Sequence, residues 1–176
     1  MKSKVERGDY YLTGGRLARS KHTDLIVDAF IKNGLPLKVF GKGFAGFEEE
    51  VTKKIANNSN IEFLGVINDE KKDELMAGAK AFVMASEDED FGIIPVEAMM
   101  AGTPVISHRS GGPTETIIEG KTGLFFDEFT IDSLNSVVKK LEKTKFDHSE
   151  IEKHAKKFSR QRFEKEIKEF IRKNTK

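Results

Sequence analysis

The chain lacks cysteine altogether, which excludes disulfide bonds and thiolate metal sites and is consistent with a reducing compartment. It also lacks any apolar run of the ~18 residues that a membrane-spanning helix needs. Its charged N-terminal segment has no apolar stretch typical of a signal peptide. Net charge is almost absent as well, because 30 basic residues stand against 29 acidic ones, and this balance creates no overall field for a nucleic acid. We therefore expect a cytoplasmic protein with no nucleic-acid partner.

What is present is a regular alternation of two kinds of segment. Short β-rich runs, which predict strands, lie at residues 10–13, 37–40, 61–64, 81–84, 104–107 and 123–126. Segments with helical spacing or composition lie at residues 23–32, 44–57, 70–79, 95–101, 113–119 and 131–142. This alternation favours an α/β, Rossmann-like fold, in which a parallel six-stranded sheet carries helices on both faces.

The length and the connections indicate a single domain over residues 1–176. A chain of 176 residues is about one domain long, and no Pro/Gly-rich linker divides it. We expect a core over about residues 10–146, followed by a highly charged terminal helix over residues 147–176 that packs on the core. The apolar residues of this helix are Ile151, Phe158, Phe163, Ile167, Phe170 and Ile171.

Glycine-rich connections follow most of the predicted strands. They lie at residues 14–22, 41–44, 65–68, 86–94 and 108–113. In an open parallel sheet, ligands bind beyond the carboxyl ends of the strands, which is where these connections would lie. We therefore expect the ligand site at this edge of the sheet.

Glu89 and Glu97 lie on either side of a glycine loop that leads into the fourth predicted helix. Pro95 suits the first turn of that helix, and Ile94 before it has no side-chain acceptor to cap the exposed backbone N–H groups. These groups remain available to a phosphate at the positive end of the helix dipole, and the carboxylates can accept hydrogen bonds from sugar hydroxyls. The pattern favours a nucleotide-sugar site. Each glutamate alone is also typical of a solvated loop or a first helical turn.

Six short motifs occur in a fixed order along the chain. They are TGGRLARSK at 13–21, FLG at 63–65, the pair Glu89-x7-Glu97 around FG at 91–92, AMMAGTPVI at 98–106, GGPTE at 111–115 and GKTGL at 120–124. Together they resemble the C-terminal, donor-binding domain of retaining glycosyltransferases of family 4, over residues 10–163. The resemblance implies one half of a GT-B fold. It also implies an enzyme that transfers a hexose such as mannose, with retention, from a GDP-mannose or UDP-hexose type of donor.

The resemblance gives roles to two cations and two carboxylates. Arg16 and Lys21 would face the diphosphate leaving group and stabilise the negative charge that grows on it. Glu89 would contact the transferred sugar, and Glu97 would bind the ribose hydroxyls. Where the family often has glycine after the lysine, this chain has His22. The catalytic set would be Arg16, Lys21 and Glu89, and the donor-binding set Gly15, Arg16, Lys21, Gly41, Ile67, Glu89, Phe91, Gly92, Ile93 and Glu97.

Two local patterns suggest other kinds of site. Residues 88–90 (DED) match the D-x-D motif with which glycosyltransferases of a different fold hold Mn²⁺ on a diphosphate. Short acidic motifs are nevertheless frequent in a chain with 34% charged residues. Residues 41–43 (GKG) lack the full frame of a phosphate-binding P-loop and fit a turn between a strand and a helix. We expect neither a metal nor another cofactor.

The resemblance also implies partners. Family members place two Rossmann-like domains face to face, and the N-terminal domain holds most of the acceptor. We expect an N-terminal GT-B half, as a missing domain or a separate chain, and a glycan or lipid-linked acceptor. The complete enzyme would lie at the inner membrane face and build cell-surface polysaccharide, whereas this chain alone would be inactive.

Two alternatives stay open from the residues alone. The first is a non-catalytic module that binds a sugar nucleotide. The second is a flavodoxin- or response-regulator-like α/β protein, in which Glu89 and Glu97 would be incidental.

Overall fold

A computed structural model describes residues 7–43 and 46–175 of the chain. Six parallel strands form one sheet in the order β3-β2-β1-β4-β5-β6. The strands are β1 (Tyr11–Leu17), β2 (Leu37–Gly43), β3 (Ile61–Gly65), β4 (Phe82–Met84), β5 (Val105–His108) and β6 (Gly123–Phe126). The predicted parallel six-stranded sheet is confirmed, and its strand order is that of a Rossmann fold.

Helices cover both faces of the sheet, as predicted. They are α1 (Thr23–Asn33), α2 (Phe47–Ile55), α3 (Asp69–Gly78), α4 (Ile93–Met100), α5 (Pro113–Thr116), α6 (Ile131–Lys143), α7 (His148–Ala155) and α8 (Arg160–Asn174). One hydrophobic core lies beneath α1, α2 and α6, and the other beneath α3, α4 and α7. Within the described ranges, no helix is both long and apolar enough to cross a membrane.

The strands are apolar on both sides because each face of the sheet is covered. Tyr11 belongs to the first core and its neighbour Leu12 to the second, and both are fully buried. Val83 and Phe82 divide between the two cores in the same way. Successive side chains of a strand point to opposite faces, so burial on both faces produces continuous apolar runs. These runs are the signal that predicted the strands.

Strands β1 and β2 run further than the sequence predicted. Residues 14–17 and 41–43, which were expected in loops, continue the two strands and pair with each other. A Cβ atom on Gly41 would collide with the backbone oxygen of Gly15, so this part of the pairing requires glycine at position 41. Glycine is disfavoured in strand interiors, and the sequence pattern therefore did not reveal this part of the sheet.

The predicted C-terminal helix is present, but the segment predicted as one helix over residues 147–176 contains two. Asp147 caps α7 by accepting hydrogen bonds from the N–H groups of Ser149 and Glu150. Ser159 caps α8 with its side chain, and a short 3₁₀ turn separates the two helices. Side-chain caps of this kind start a new helix rather than continue the previous one. The charged composition of the segment concealed them.

Two further helix boundaries differ from the prediction. The helix expected over residues 113–119 ends at Thr116, because the N–H of Ile118 donates to the Thr122 hydroxyl instead of to a helical carbonyl. The helix expected over residues 44–57 is α2, which follows Gly46 as its N-cap. Residues 44 and 45 of that prediction lie outside the described part of the chain.

Candidate functional site

A crevice opens where β1 and β4 lie side by side, because the sheet is extended from this pair in opposite directions by β2 and by β5. A cavity of about 510 Å³ lies at the carboxyl ends of these strands. Among the predicted site residues, those that line it are Arg16, Lys21, Glu89, Phe91, Gly92 and Ile93. The fold thus brings together residues of β1, of the turn that follows it and of the segment before α4.

Helix α4 begins at Ile93 rather than at Pro95, and its N-cap is Gly92 rather than Ile94. Gly92 has φ 79° and ψ 66°, a left-handed conformation that favours glycine, and it offers no side chain to the helix end. In the part of the chain that the structure describes, the N–H groups of Phe91, Gly92 and Ile93 donate no hydrogen bond. These groups lie at the positive end of the helix dipole, where an anion would be stabilised.

The segment before α4 is held in place by the loop after β5. The N–H of Gly112 donates to the backbone oxygen of Glu89 at 2.7 Å. A Cβ atom on Gly112 would lie 2.5 Å from the Cα of Phe91 and 2.6 Å from the oxygen of Asp90. The hydroxyl of Ser110 accepts a hydrogen bond from the N–H of Asp88 at 3.3 Å. Both loops therefore fit together backbone to backbone, and the GGPTE motif supplies the glycine that this fit requires.

Lys21 and Glu89 form an ion pair inside the cavity. The side chains are 28% and 23% exposed, so the pair is partly shielded from water. Lys21 ends the 3₁₀ turn after β1, and His22 follows it with φ 44°. The backbone at position 22 is therefore left-handed, which accounts for the glycine that the resemblance leads one to expect there. The contact joins the residue predicted to bind the diphosphate, Lys21, to the residue predicted to contact the sugar, Glu89.

Arg16 lies on β1 at the edge of the same cavity. Its side chain is exposed, and it forms no ion pair with any residue of the described ranges. Arg19, in the same turn region, pairs instead with Glu50 of α2. Of these two arginines, only Arg16 is thus placed to meet a ligand in the cavity.

Glu97 does not line this cavity. It lies one turn further along α4 and faces a neighbouring cavity of about 680 Å³, which also reaches Phe91 and Ile93. The two predicted carboxylates therefore line different cavities, and Phe91 and Ile93 of the segment with the free N–H groups line both. That the two carboxylates flank a bound phosphate stays a prediction.

Lys72 of α3 donates a hydrogen bond to Glu97 Oε1 at 3.0 Å and forms an ion pair with Asp69 at 3.2 Å. Partial burial favours the neutral form of the Lys72 amine, but the hydrogen bonds to Glu97 and Asp69 outweigh it and raise the pKa of Lys72. Lys72 is not among the residues that the sequence predicted for the site. Its contact with Glu97 depends on how α3 packs beside α4, which no local pattern indicates.

Three predicted donor-binding residues have other neighbours in the structure. Gly15 and Gly41 pair across β1 and β2, and a Cβ atom on Gly15 would lie 2.5 Å from Cδ1 of Ile94 on α4. Ile67 is partly buried and packs against the second core. All three lie near the carboxyl edge of the sheet, and their contact with a donor stays a prediction. Gly15 also has a packing role, because it lets α4 approach β1.

The acidic motif at residues 88–90 divides its side chains between different surroundings. Glu89 pairs with Lys21, Asp90 lines the cavity, and Asp88 has a left-handed backbone with φ 48°. Across residues 7–43 and 46–175, no group of three His, Cys, Asp or Glu side chains is arranged to hold a metal ion. Thr13 and Ser86, two buried polar residues that were not predicted as site residues, also line the cavity. Their signal is a hydroxyl side chain at or just after the end of a short apolar run of the sequence.

Comparison with known proteins identifies relatives of the chain. The sequence model described as "Glycosyl transferases group 1" matches residues 2–162. The alpha-1,3/1,6-mannosyltransferase ALG2 of Dictyostelium discoideum is 31% identical over 157 residues, which cover 76% of this chain and 37% of that protein. The chain thus spans little more than a third of this relative.

Solved structures share the fold. The apo form of the lipopolysaccharide outer core galactosyltransferase WaaB superimposes with a TM-score of 0.79 at 19% identity, covering 96% of this chain and 51% of that one. The pneumococcal O-GlcNAc transferase GtfA, in complex with UDP and GlcNAc, gives a TM-score of 0.78 at 20% identity and coverages of 97% and 37%. At such identities the likeness concerns the fold, and it confirms the predicted GT-B-type Rossmann-like domain.

Proposed function

Because the chain belongs to the glycosyl transferases group 1 family, we propose that it binds a nucleotide-diphosphate sugar and supplies the donor side of a retaining hexosyl transfer. One observation supports this most directly. One cavity at the switch point of the sheet contains the Lys21 cation, the Glu89 carboxylate and backbone N–H groups that donate no hydrogen bond within the described residues. A diphosphate needs the first and last of these, and a sugar needs the second.

The diphosphate would lie against the N–H groups of Phe91, Gly92 and Ile93, within reach of Arg16 and Lys21. As the bond between the sugar and the diphosphate breaks, negative charge grows on the leaving phosphate. Fixed cations and amide dipoles stabilise that charge more in the transition state than in the bound donor. The leaving phosphate would accept the proton of the acceptor hydroxyl on the same face of the sugar, so the reaction retains configuration without a protein nucleophile.

Donor binding would exchange the partners of the Lys21–Glu89 pair. A phosphate competes with the Glu89 carboxylate for the Lys21 ammonium, and the carboxylate that is released can accept hydrogen bonds from the sugar hydroxyls. Glu97, on the other side of the loop, would accept hydrogen bonds from the ribose. In this proposal the protein groups supply all the counter-charge, and no metal or other cofactor takes part.

The relatives suggest the sugar and the context. The name of the Dictyostelium relative specifies mannose transfer, and the GtfA complex contains UDP. We therefore propose a donor of the GDP-mannose or UDP-hexose type and a glycan or lipid-linked acceptor. A second, N-terminal GT-B half would hold the acceptor, with the complete enzyme acting at the inner membrane face.

Titration calorimetry with UDP-, GDP- and ADP-sugars tests the proposal. We expect one base to be preferred, and we expect the affinity to be the same in EDTA as with Mn²⁺. Arg16→Met should weaken binding, whereas Arg19→Met, a matched change in the neighbouring arginine that pairs with Glu50, should not. Binding that collapses in EDTA and returns with Mn²⁺ would point to residues 88–90 as the site instead. Binding of a flavin mononucleotide in place of every sugar nucleotide would contradict the proposal entirely.

A further inference from the structure

We propose that Lys72 is a positioning residue for Glu97: it holds the carboxylate in the orientation in which Glu97 accepts hydrogen bonds from the ribose of the donor. The inference rests on the proposed function, because it assumes a nucleotide in the site. It adds a residue from a third element, α3, to a site otherwise built by β1, the turn after it and the start of α4.

The geometry of the contact is specific. Lys72 Nζ lies 3.0 Å from Glu97 Oε1 and 3.2 Å from Asp69 Oδ1. The Lys72 side chain is only 19% exposed, although the residue lies on a surface helix, while Glu97 is 36% and Asp69 91% exposed. The ammonium is therefore enclosed between two carboxylates, of which Asp69 faces the solvent and Glu97 faces the cavity beside Phe91 and Ile93.

Only one oxygen of Glu97 is used in this contact. Within the described part of the chain, Oε2 of Glu97 accepts no hydrogen bond, so it is available to a ligand. An ionised carboxylate has acceptor sites on both oxygens, and a vicinal diol such as that of ribose offers two donors. A carboxylate that is already fixed loses less rotational freedom when it binds the diol. Lys72 supplies that fixation.

Asp69 restrains the Lys72 ammonium, because it forms a second ion pair with it. It lies one turn before Lys72 on α3, and the N–O distance of this pair is 3.2 Å. Without a second anchor, a lysine that pairs with a binding carboxylate could swing with it toward the phosphates of a ligand. With that anchor, the ammonium stays on α3, and the Glu97 carboxylate is held between α3 and the ligand.

An ion pair that only joins α3 to α4 would behave differently. It would change the stability of the fold and would affect all ligands equally. A lysine that contacted the diphosphate directly would also affect all phosphorylated ligands equally. A positioning role predicts a loss that depends on the ribose hydroxyls, and this dependence separates it from both alternatives.

The test uses the 176-residue chain and four probes: UDP, GDP and the 2′,3′-dideoxy form of each. For the preferred nucleoside diphosphate, we expect Lys72→Met to weaken binding about 5- to 10-fold, the size expected for a misplaced hydrogen-bond acceptor. The affinity of Lys72→Met for the dideoxy form should equal, within experimental error, the affinity of the unaltered chain for the same probe. Lys72→Arg should restore most of the affinity, because arginine keeps the donated hydrogen bond. Lys71→Met is the matched control, since the sole ion-pair partner of Lys71 among the described residues is Glu74 on the same helix.

The double variant Lys72→Met/Glu97→Ala completes the test. It should bind the nucleoside diphosphate no more weakly than Glu97→Ala alone, because Lys72 acts only through Glu97. Equal losses for the ribose and dideoxy probes, or an unchanged affinity in Lys72→Met, would overturn the positioning role while the proposed function stands. If the unaltered chain binds neither UDP nor GDP, the proposed function fails and this inference fails with it. Thermal unfolding of each variant verifies that the fold is retained.

Discussion

Individual side chains at the carboxyl edge of the sheet have distinct partners, and these partners separate the two glutamates. Glu89 shares its cavity with Lys21, whereas Glu97 lies in the adjoining cavity and is held by Lys72. The proposed ligand would therefore meet the two carboxylates at different parts of its length. Substitution of each should change a different part of the binding free energy.

We expect Glu97→Ala to weaken binding of the free nucleoside diphosphate and of the sugar-bearing donor alike, by about 1–3 kcal/mol, through the loss of charged hydrogen bonds to the ribose. Glu89→Ala should weaken the sugar-bearing donor more than the free nucleoside diphosphate. Calorimetry with both ligands measures the difference. An equal loss for both ligands in Glu89→Ala would remove that residue from the sugar subsite.

Gly112 offers a second test at the scale of one residue, because its φ of −54° suits any amino acid and only space is limiting. A Cβ atom there would press on the backbone of Phe91. We expect Gly112→Ala to cost about 1–3 kcal/mol of unfolding free energy through overpacking. It should also weaken nucleotide binding, because the displaced segment carries the free N–H groups. Gly120→Ala, at a left-handed position with open space around it, is the control. It should destabilise the fold without changing the affinity.

The sequence could predict the residues whose chemistry lies in local motifs. Lys21 and Glu89 stand far apart in the sequence, yet each belongs to a recognisable motif, and the fold brings them into contact. Lys72 belongs to no motif, and its importance arises only from the packing of α3 against α4. Its role could not be predicted without the structure, because a contact between two helices depends on the whole core beneath them.

At the scale of secondary-structure elements, burial decided which boundaries could be predicted. The short apolar runs of β4 and β6 are fully buried, and their predicted positions are nearly those observed. Residues 14–16 of β1 and 41–43 of β2 are glycine-rich and exposed or half-buried, so no continuous apolar pattern marks these strand ends. The same reason explains the error at the terminal helix, where hydroxyl and carboxylate caps rather than apolar spacing set the boundary.

The two helices of the terminal segment should differ in their contribution to stability. Ile151 of α7 is completely buried in the second core, whereas Phe170 of α8 is 63% exposed, and α8 has no buried residue at all. We expect Ile151→Ala to lower the unfolding free energy by about 2–5 kcal/mol. Phe170→Ser should change it by no more than about 0.5 kcal/mol. Denaturant titration of the purified chain measures both, and a large loss in the Phe170 variant would show that α8 packs on the domain in solution.

At the scale of the whole molecule, the position of the site follows from the topology. The strand order places the switch point between β1 and β4, and Arg16, Lys21 and Glu89 lie at or just beyond the carboxyl ends of these two strands. The alternation of strands and helices was sufficient to predict a parallel sheet with the site at its carboxyl edge. It did not predict the strand order, which locates the switch point between β1 and β4. The alternation could not indicate that one side of the cavity stays open, because that depends on what covers the carboxyl edge.

A cavity that is open to solvent should bind a nucleotide sugar without catalysing transfer of the sugar. The cavity joins solvent along the exposed Phe91 and Ile93, which are 44% and 65% exposed. Water there would screen the charges of Arg16 and Lys21, and catalysis by fixed charges needs a dry, preorganised site that closes over the donor. We therefore expect the 176-residue chain to bind a nucleotide sugar weakly and to transfer none of it to an acceptor.

The substitutions Arg16→Ala and Lys21→Ala connect binding to catalysis. Each should weaken nucleoside diphosphate binding to the isolated chain by about 10- to 100-fold, the value of a charged hydrogen bond. In an enzyme reconstituted with an N-terminal half, the same changes should lower kcat as well, because the charge on the leaving phosphate is greatest in the transition state. Calorimetry measures the first effect, and transfer of radiolabelled sugar to an acceptor measures the second. Sugar transfer by the isolated chain at the rate of the reconstituted enzyme would contradict this expectation, since closure by a second domain would then be unnecessary.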